Sequence, residues 1–108
     1  MNDMNLFLRD VLTGAKASRQ RHLRQAALIQ QAIDQHWELT NPHRWQAKHL
    51  RWFLEDHIAA LSPASRYRYW LTIALIASRR HRLREWQPFL RGSWQRPDAP
   101  KHDSCPFL

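Results

Sequence analysis

Basic side chains are concentrated in two stretches of this sequence that contain no acidic residue. The stretch from Lys16 to Arg24 carries four cations, and the stretch from His57 to Arg84 carries six arginines. Most of the cations in the chain are Arg, whose planar guanidinium group donates paired hydrogen bonds to phosphate oxygens and to the edge of guanine. The chemistry that both stretches favour is therefore the binding of a polyanion.

The whole chain shares this imbalance of charge. Seventeen Lys and Arg residues oppose nine Asp and Glu residues among 108, which gives a formal net charge of +8. Such a charge favours nucleic acid, an acidic protein surface or an anionic membrane as the partner. We favour nucleic acid. The alternatives are an inhibitor that binds an acidic protein surface and a protein that binds RNA or single strands.

The sequence offers little for other kinds of chemistry. No two of the seven histidines are four residues apart, and the one cysteine, Cys105, is near the C-terminus, so we expect no metal site and no internal disulfide. There is no Gly-rich phosphate loop, catalytic triad or pair of carboxylates. We expect a protein that is not an enzyme and needs no cofactor.

Membrane insertion and export are not predicted either. The longest apolar run, from Trp70 to Ala77, is far shorter than the roughly 20 residues that cross a bilayer. The first nine residues lack the apolar core of a signal peptide. These features predict a cytoplasmic protein without a membrane partner.

The elements that must position the basic residues are predicted to be helices. Glycine occurs only at Gly14 and Gly92, and Ala, Leu, Arg and Gln dominate the region between them. The pattern predicts an all-α, compact four-helix bundle. We expect helices over about 5–12, from an N-cap at Ser18 to about Trp37, over about 46–61, and from an N-cap at Ser62 with Pro63 in the first turn.

Hydrophobic spacing predicts which side of each long helix faces the core. For the second helix the expected inward residues are Leu23, Ala26, Ala27, Ile33 and Trp37. For the third they are Leu50, Phe53, Leu54, His57 or Ile58, and Leu61. For the fourth, predicted to be the central helix, they are Tyr67, Trp70, Leu71, Ala74, Leu75 and Ser78.

The C-terminal part is predicted to contain a short segment that packs on the bundle, followed by a mobile tail. Trp86, Phe89, Leu90 and Trp94 predict a short closing turn, which makes residues 1–94 one helical domain and residues 95–108 a mobile tail. Four of the six tryptophans are expected in the core. Trp45 and Trp52 are the exceptions, and an exposed Trp52 is a candidate protein interface.

The order of these segments resembles the core-binding (SAM-like) N-terminal domain of phage-integrase-type tyrosine recombinases. The matching stretches are KASRQRHLRQAALIQQAIDQHW and NPHRWQAKHLRWFLEDHIAALSPASRYRYWLTIALIASRRHRLREWQPFL, within roughly residues 5–91. The resemblance consists of helical spacing with few fixed letters. The family's catalytic domain has no counterpart in this sequence, and His81-Arg82-Leu83-Arg84 spells its His-x-x-Arg motif by chance.

The resemblance implies a domain that docks the starts of its second and fourth helices in the major groove of duplex DNA. We therefore expect a stand-alone accessory or regulatory protein for recombination or transcription on a mobile element. A recombinase, another protein or a second copy of the chain are further candidate partners. The predicted DNA-binding residues, including the basic end of the fourth helix, are Lys16, Ser18, Arg19, Arg21, His22, Ser65, Arg66, Arg68, Tyr69, Arg79, Arg80 and Arg82.

Overall fold

The computed structural model describes residues 4–9, 11–12 and 14–95, and this part of the chain is helical without any strand, as predicted. The α-helices are α1 (Met4–Leu8), α2 (Lys16–Trp37), α3 (Ala47–Trp52), α4 (Pro63–Arg79) and α5 (Leu83–Trp86). A π-helical turn (Phe53–His57) continues α3. Short 3₁₀ turns span Pro42–Arg44, Gln87–Phe89 and Ser93–Gln95. No helix in the described ranges has both the length and the apolar character needed to cross a bilayer.

Helix α2 begins earlier than predicted. Its N-cap is Ala15, which makes no side-chain cap, so Ser18 lies inside the first turn. Gly14 adopts φ 89°, a left-handed conformation that suits glycine, and good helix formers follow it directly. The helix ends at Trp37 as expected, with Glu38 in the left-handed region at φ 55°.

The inward face of α2 also differs from the predicted one. Ala27 is exposed, whereas Ile29 is fully buried and was missed. Ala26, Ile29 and Ile33 follow the i, i+3, i+7 spacing of a single helical face, from which Ala27 is rotated by about 100°. The buried residues of α2 are Ala26, Ile29, Ala32 and Ile33.

The single third helix that was predicted for residues 46–61 is interrupted. After Trp52 the chain makes one π-helical turn, in which the Ile58 amide donates to the Phe53 carbonyl over 3.1 Å. The wider turn rotates the following residues around the helix axis. Of the two predicted alternatives, Ile58 is buried and His57 is exposed, and Leu61, which was also predicted to face inward, is exposed.

Helix α4 is the central element, as predicted, and contacts α1, α2, α5 and the turn Ser93–Gln95. Its predicted start is confirmed, because the Ser62 hydroxyl accepts from the Ser65 amide over 3.3 Å and Pro63 occupies the first turn. Its predicted inward face is confirmed except at Ser78, which is exposed: Trp70 is buried, and Tyr67, Leu71, Ala74 and Leu75 pack partly buried against the core. The other buried residues of α4 are Thr72, Ile73, Ile76 and Ala77. Neighbours on both flanks of α4 account for this wider burial.

Three of the four residues of the predicted closing turn pack on the bundle. Trp86, Leu90 and Trp94 are buried, but Phe89 is 58% exposed, contrary to the prediction. Trp45 is 1% exposed, so its assignment as an exception to core packing was wrong. Its indole N–H donates to the Leu39 carbonyl over 3.1 Å. The predicted mobile tail lies outside the described residues, except for Gln95.

The other tryptophan that was expected at the surface, Trp52, is only half-buried. Its ring stacks on His36 of α2 at 4.3 Å between centroids and packs edge-on against Trp37. These aromatic contacts fix α3 to the last turn of α2.

Candidate nucleic-acid interface

Helices α2 and α4 are joined by a hydrogen-bonded contact at Thr72, which is fully buried. The Thr72 hydroxyl donates to Gln25 Oε1 over 2.8 Å, and His22 Nδ1 lies 2.8 Å from the same hydroxyl oxygen. The network fixes the position of the two helices along each other.

The two helices run antiparallel. Leu28 and Ala32, which follow the Thr72 contact in α2, line a cavity together with Tyr69, which precedes Thr72 in α4. The two helices therefore pass the Thr72 contact in opposite directions.

Arginines from both helices lie along this antiparallel boundary. In α4, Arg68, Thr72 and Arg79 share one flank, since they are spaced by four and seven residues. In α2, Arg21 lies one turn before Gln25, on the flank that contacts Thr72. We call this surface, with Arg24 at its edge, the α2/α4 face; its residues are Arg21, Arg24, Arg68 and Arg79.

The carboxylates of the described residues lie elsewhere. Helix α4 contains no acidic residue, and the first acidic residue of α2 is Asp34, near its C-terminal end. Glu55 is paired with Arg51 at 2.9 Å, and Glu85 with Arg82 at 2.8 Å. The α2/α4 face is therefore cationic without compensation from residues of its own two helices.

Arg21 and Arg79 are partly withdrawn into this face. The Arg79 guanidinium lies over the Phe7 ring at 5.2 Å. The Nε atoms of both arginines are buried, and no described residue accepts a hydrogen bond from them. A guanidinium group that is stacked on a ring keeps the N–H groups of its edge available to an acceptor. Packing thus orients these cations, and neither is paired with a carboxylate of the described residues.

His22, a predicted DNA contact, belongs to the contact between the helices. Burial lowers the pKa of its imidazole below the ordinary value of 6.5, and the Arg21 guanidinium lowers the pKa further. The ring is therefore neutral at pH 7 and adds no charge to the α2/α4 face. Its role is to position α2 against α4.

Arg66 and Arg68 lie on different flanks of α4. Arg66 Nη2 donates to the Leu54 carbonyl over 3.4 Å, and its guanidinium lies 5.8 Å from the centre of the Trp94 ring. Arg68 is exposed, and no described residue accepts a hydrogen bond from its side chain. Although Arg66 and Arg68 are two residues apart in the sequence, Arg66 packs on the C-terminal segment and Arg68 faces solvent.

Arg80 is the most firmly held of the predicted site residues. Its Nη1 atom donates to the carbonyls of Pro42 and Trp45, each over 2.9 Å, and its guanidinium lies over the Trp86 ring at 5.4 Å. Burial, and then the nearby Arg82, lower the pKa of Arg80 from its ordinary value. These contacts make Arg80 a link between the turn Pro42–Arg44 and α5.

The remaining predicted site residues lie at the margins of the molecule. Lys16 and Arg19 are exposed at the start of α2, beside the half-buried Ser18, and Arg82 is exposed beside Glu85. Ser65 bonds to the N-cap Ser62. Tyr69 packs edge-on against Phe53 at 5.4 Å.

A second basic surface was not predicted from the sequence. Arg44 and Lys48 line a cleft that also contains Arg80, Arg82 and the exposed Phe89. These residues come from two segments that are far apart in the sequence, so no local pattern reveals their proximity. Phe89 was not identified as exposed, because it belongs to a sequence pattern that predicts a hydrophobic closing turn.

Metal binding receives no support from the described residues, among which no three His, Cys, Asp or Glu side chains form a group able to hold an ion. Cys105 lies outside the described residues. No family model, no curated protein and no solved structure matches the chain.

Proposed function

We propose that this protein binds duplex DNA through the α2/α4 face, as an accessory or regulatory protein in recombination or transcription on a mobile element. The observation that carries the proposal is the gathering of arginines from two antiparallel helices on a surface to which those helices contribute no carboxylate. The part played on a mobile element rests on the resemblance to core-binding domains.

The spacing of the arginines suits a duplex. Arg68 and Arg79 are eleven residues apart in α4, which corresponds to about 16 Å along the helix axis. The major groove of B-DNA is roughly 12 Å wide. With the reach of their side chains, these two arginines can contact phosphates on both sides of the groove. Contacts of this kind fix the orientation of a protein on DNA.

A phosphate-based mechanism predicts a steep dependence on salt. Six cations lie on the α2/α4 face or beside it: Lys16, Arg19, Arg21, Arg24, Arg68 and Arg79. If each neutralises one phosphate, affinity falls by roughly 10³-fold between 50 and 200 mM salt. Fluorescence anisotropy with a labelled random-sequence duplex measures this slope, and a flat response would contradict the proposal.

The location of the site is tested by the double variant Arg21→Ala/Arg68→Ala. We expect at least a tenfold loss of duplex affinity at 100 mM salt, and a log–log salt slope that is less steep by about 2. The matched control is Arg84→Ala/Arg91→Ala, which removes two exposed arginines of the C-terminal segment and the same net charge. Equal losses in both variants would show that total charge, and not the α2/α4 face, determines binding.

Binding of a protein partner is the second candidate function, and a specific observation favours it. An open groove of about 400 Å³ lies between α2, the π-helical turn and α4, and Leu28 and Leu61 at its rim are 45% and 42% exposed. Exposed apolar side chains around a groove are typical of a protein interface. A wild-type protein that fails to bind duplex DNA at 50 mM salt would favour this candidate.

A further inference from the structure

A basic cleft separates the segment 43–48 from the segment 80–89. Its volume is about 630 Å³, which lies within the range of pockets that hold small ligands. Arg44 and Lys48 line one wall, and Arg82, Trp86 and Phe89 line the other. The cleft therefore combines cations with aromatic rings, and it is distinct from the α2/α4 face.

The position of Arg80 makes the cleft rigid. Its hydrogen bonds to the carbonyls of Pro42 and Trp45 join the two walls, and its stacking on Trp86 fixes the second wall. A cleft that is already formed does not have to be ordered when a ligand binds. Because Trp86 is buried in this packing, the aromatic surface available to a ligand is that of Phe89.

Phe89 is the most exposed large hydrophobic residue of the described part of the chain, at 58%. Its backbone is held, because Arg51 Nη1 donates to the Phe89 carbonyl over 2.9 Å. The structure thus presents an aromatic ring to solvent from a fixed position beside cationic groups. This combination is typical of sites that bind single-stranded nucleic acid, where bases stack on aromatic rings and basic groups hold the backbone.

The two walls of the cleft differ in how their cations are paired. On the Phe89 side, Arg82 is paired with Glu85 at 2.8 Å and Arg80 donates to the carbonyls of Pro42 and Trp45, so both already have acceptors. On the opposite side, Arg44 and Lys48 are both exposed and have no acceptor among the described residues. Phosphate is therefore favoured at the Arg44–Lys48 wall, which leaves the base to face Phe89.

We propose that this cleft binds an unpaired nucleotide of single-stranded DNA, with its base on Phe89 and its phosphates at Arg44 and Lys48. The inference goes beyond duplex binding, because it assigns a second site with a different ligand. A protein with both sites recognises DNA in which a duplex adjoins an unpaired strand.

The test compares two labelled 12-mers of equal charge, oligo-dT and an abasic strand that has the same sugar-phosphate backbone. We expect wild type to bind oligo-dT about tenfold more tightly than the abasic strand, because only the former has bases to stack. Phe89→Ala should abolish this preference and Phe89→Trp should keep it. The control Leu61→Ala, which truncates an exposed apolar residue outside the cleft, should leave it unchanged.

Two further measurements separate this inference from the proposed function. Phe89→Ala should leave the affinity for blunt duplex within twofold of wild type, and Arg21→Ala/Arg68→Ala should keep the preference for oligo-dT over the abasic strand. Equal binding of the two 12-mers by wild type would overturn the assignment. A second result would also overturn the assignment: a twelve-residue polyglutamate peptide binds as tightly as oligo-dT, and Phe89→Ala weakens the binding of both equally. The cleft would then serve an acidic protein.

Discussion

The two flanks of α4 carry arginines in similar positions and use them differently. On the flank that packs against the C-terminal segment, Arg66 and Arg80 donate to backbone carbonyls and stack on Trp94 and Trp86. On the flank beside α2, Arg68 is exposed, and Arg79 lies over the Phe7 ring without an acceptor among the described residues. The first pair is bonded to backbone carbonyls, although the buried Nε of Arg66 has no acceptor, whereas the second pair has no acceptor among the described residues.

This difference follows from what each flank is packed against. Irregular segments, such as the turn Pro42–Arg44 and the π-helical turn, have carbonyls without helical partners, and an arginine can satisfy several of them at once. Helix α2 offers no such carbonyls, because its backbone groups are bonded within the helix. Arginines that border a regular helix therefore remain available to an external anion.

The largest effect that the comparison predicts is on stability, at Arg80. Arg80→Ala removes two hydrogen bonds from a charged donor and the stacking on Trp86, so we expect the free energy of unfolding to fall by about 3 kcal/mol. Arg80→Lys should recover less than half of this, because an ammonium group lacks the planar fork. Urea denaturation followed by tryptophan fluorescence measures the change.

The matched variant on the other flank is Arg68→Ala, which should change the free energy of unfolding by less than about 0.5 kcal/mol, as is usual for an exposed residue. The distinction between the two flanks would be untenable if Arg68→Ala were as destabilising as Arg80→Ala.

A smaller effect is expected at the boundary that holds the α2/α4 face together. Thr72→Val keeps the shape of a buried side chain but leaves His22 and Gln25 without their shared partner, which should cost about 2 kcal/mol. Thr72→Ser keeps the hydroxyl and should cost less. Since the network positions Arg21 relative to Arg68, duplex affinity should also fall in the valine variant under conditions where it is fully folded. A serine variant that is less stable than the valine variant would contradict the assigned role of the hydroxyl.

The helical content and the main boundaries could be predicted because their causes are local. The scarcity of glycine, the Ser62–Pro63 start of α4 and the end of α2 at Trp37 all depend on neighbouring residues. The π-helical turn could not be predicted, because the spacing of Leu50, Phe53, Leu54 and Leu61 also fits a regular helix. Only the packing of Trp52 on His36 shows how the end of α3 is anchored.

The candidate site was predictable in its chemistry but not in its geometry. The acid-free stretches identified Arg21, Arg68 and Arg79 as available cations. The same reasoning also included Arg66 and Arg80, because a sequence does not show which arginines meet backbone carbonyls. The packing of α2 against α4 at Thr72 is likewise a tertiary property, which the sequence does not show.

The smallest effect predicted for the α2/α4 boundary is a dependence of stability on pH. The pKa of His22 in the folded protein is lowered by burial and by Arg21, relative to the ordinary value of 6.5. Below about pH 6.5 the unfolded chain therefore binds more protons than the folded one, and the free energy of unfolding decreases as the pH falls. Burial, and then Lys48, lower the pKa of His49 in the same way, and its Nδ1 atom accepts from the Gln46 amide over 2.9 Å, which a protonated ring cannot do.

Replacement of His22 separates its contribution to the pH dependence of stability from that of His49. His22→Asn places an amide near the position of Nδ1, so it can retain the bond to Thr72 while it removes the titration. We expect the loss of stability between pH 7.5 and pH 5.5 to shrink by roughly half, with the remainder due to His49. Urea denaturation at both pH values measures this difference, with His43→Asn, at an exposed histidine, as the control. An unchanged pH dependence in His22→Asn would mean that His22 titrates alike in the folded and unfolded chains, and that the boundary between α2 and α4 is more open to water than its contacts indicate.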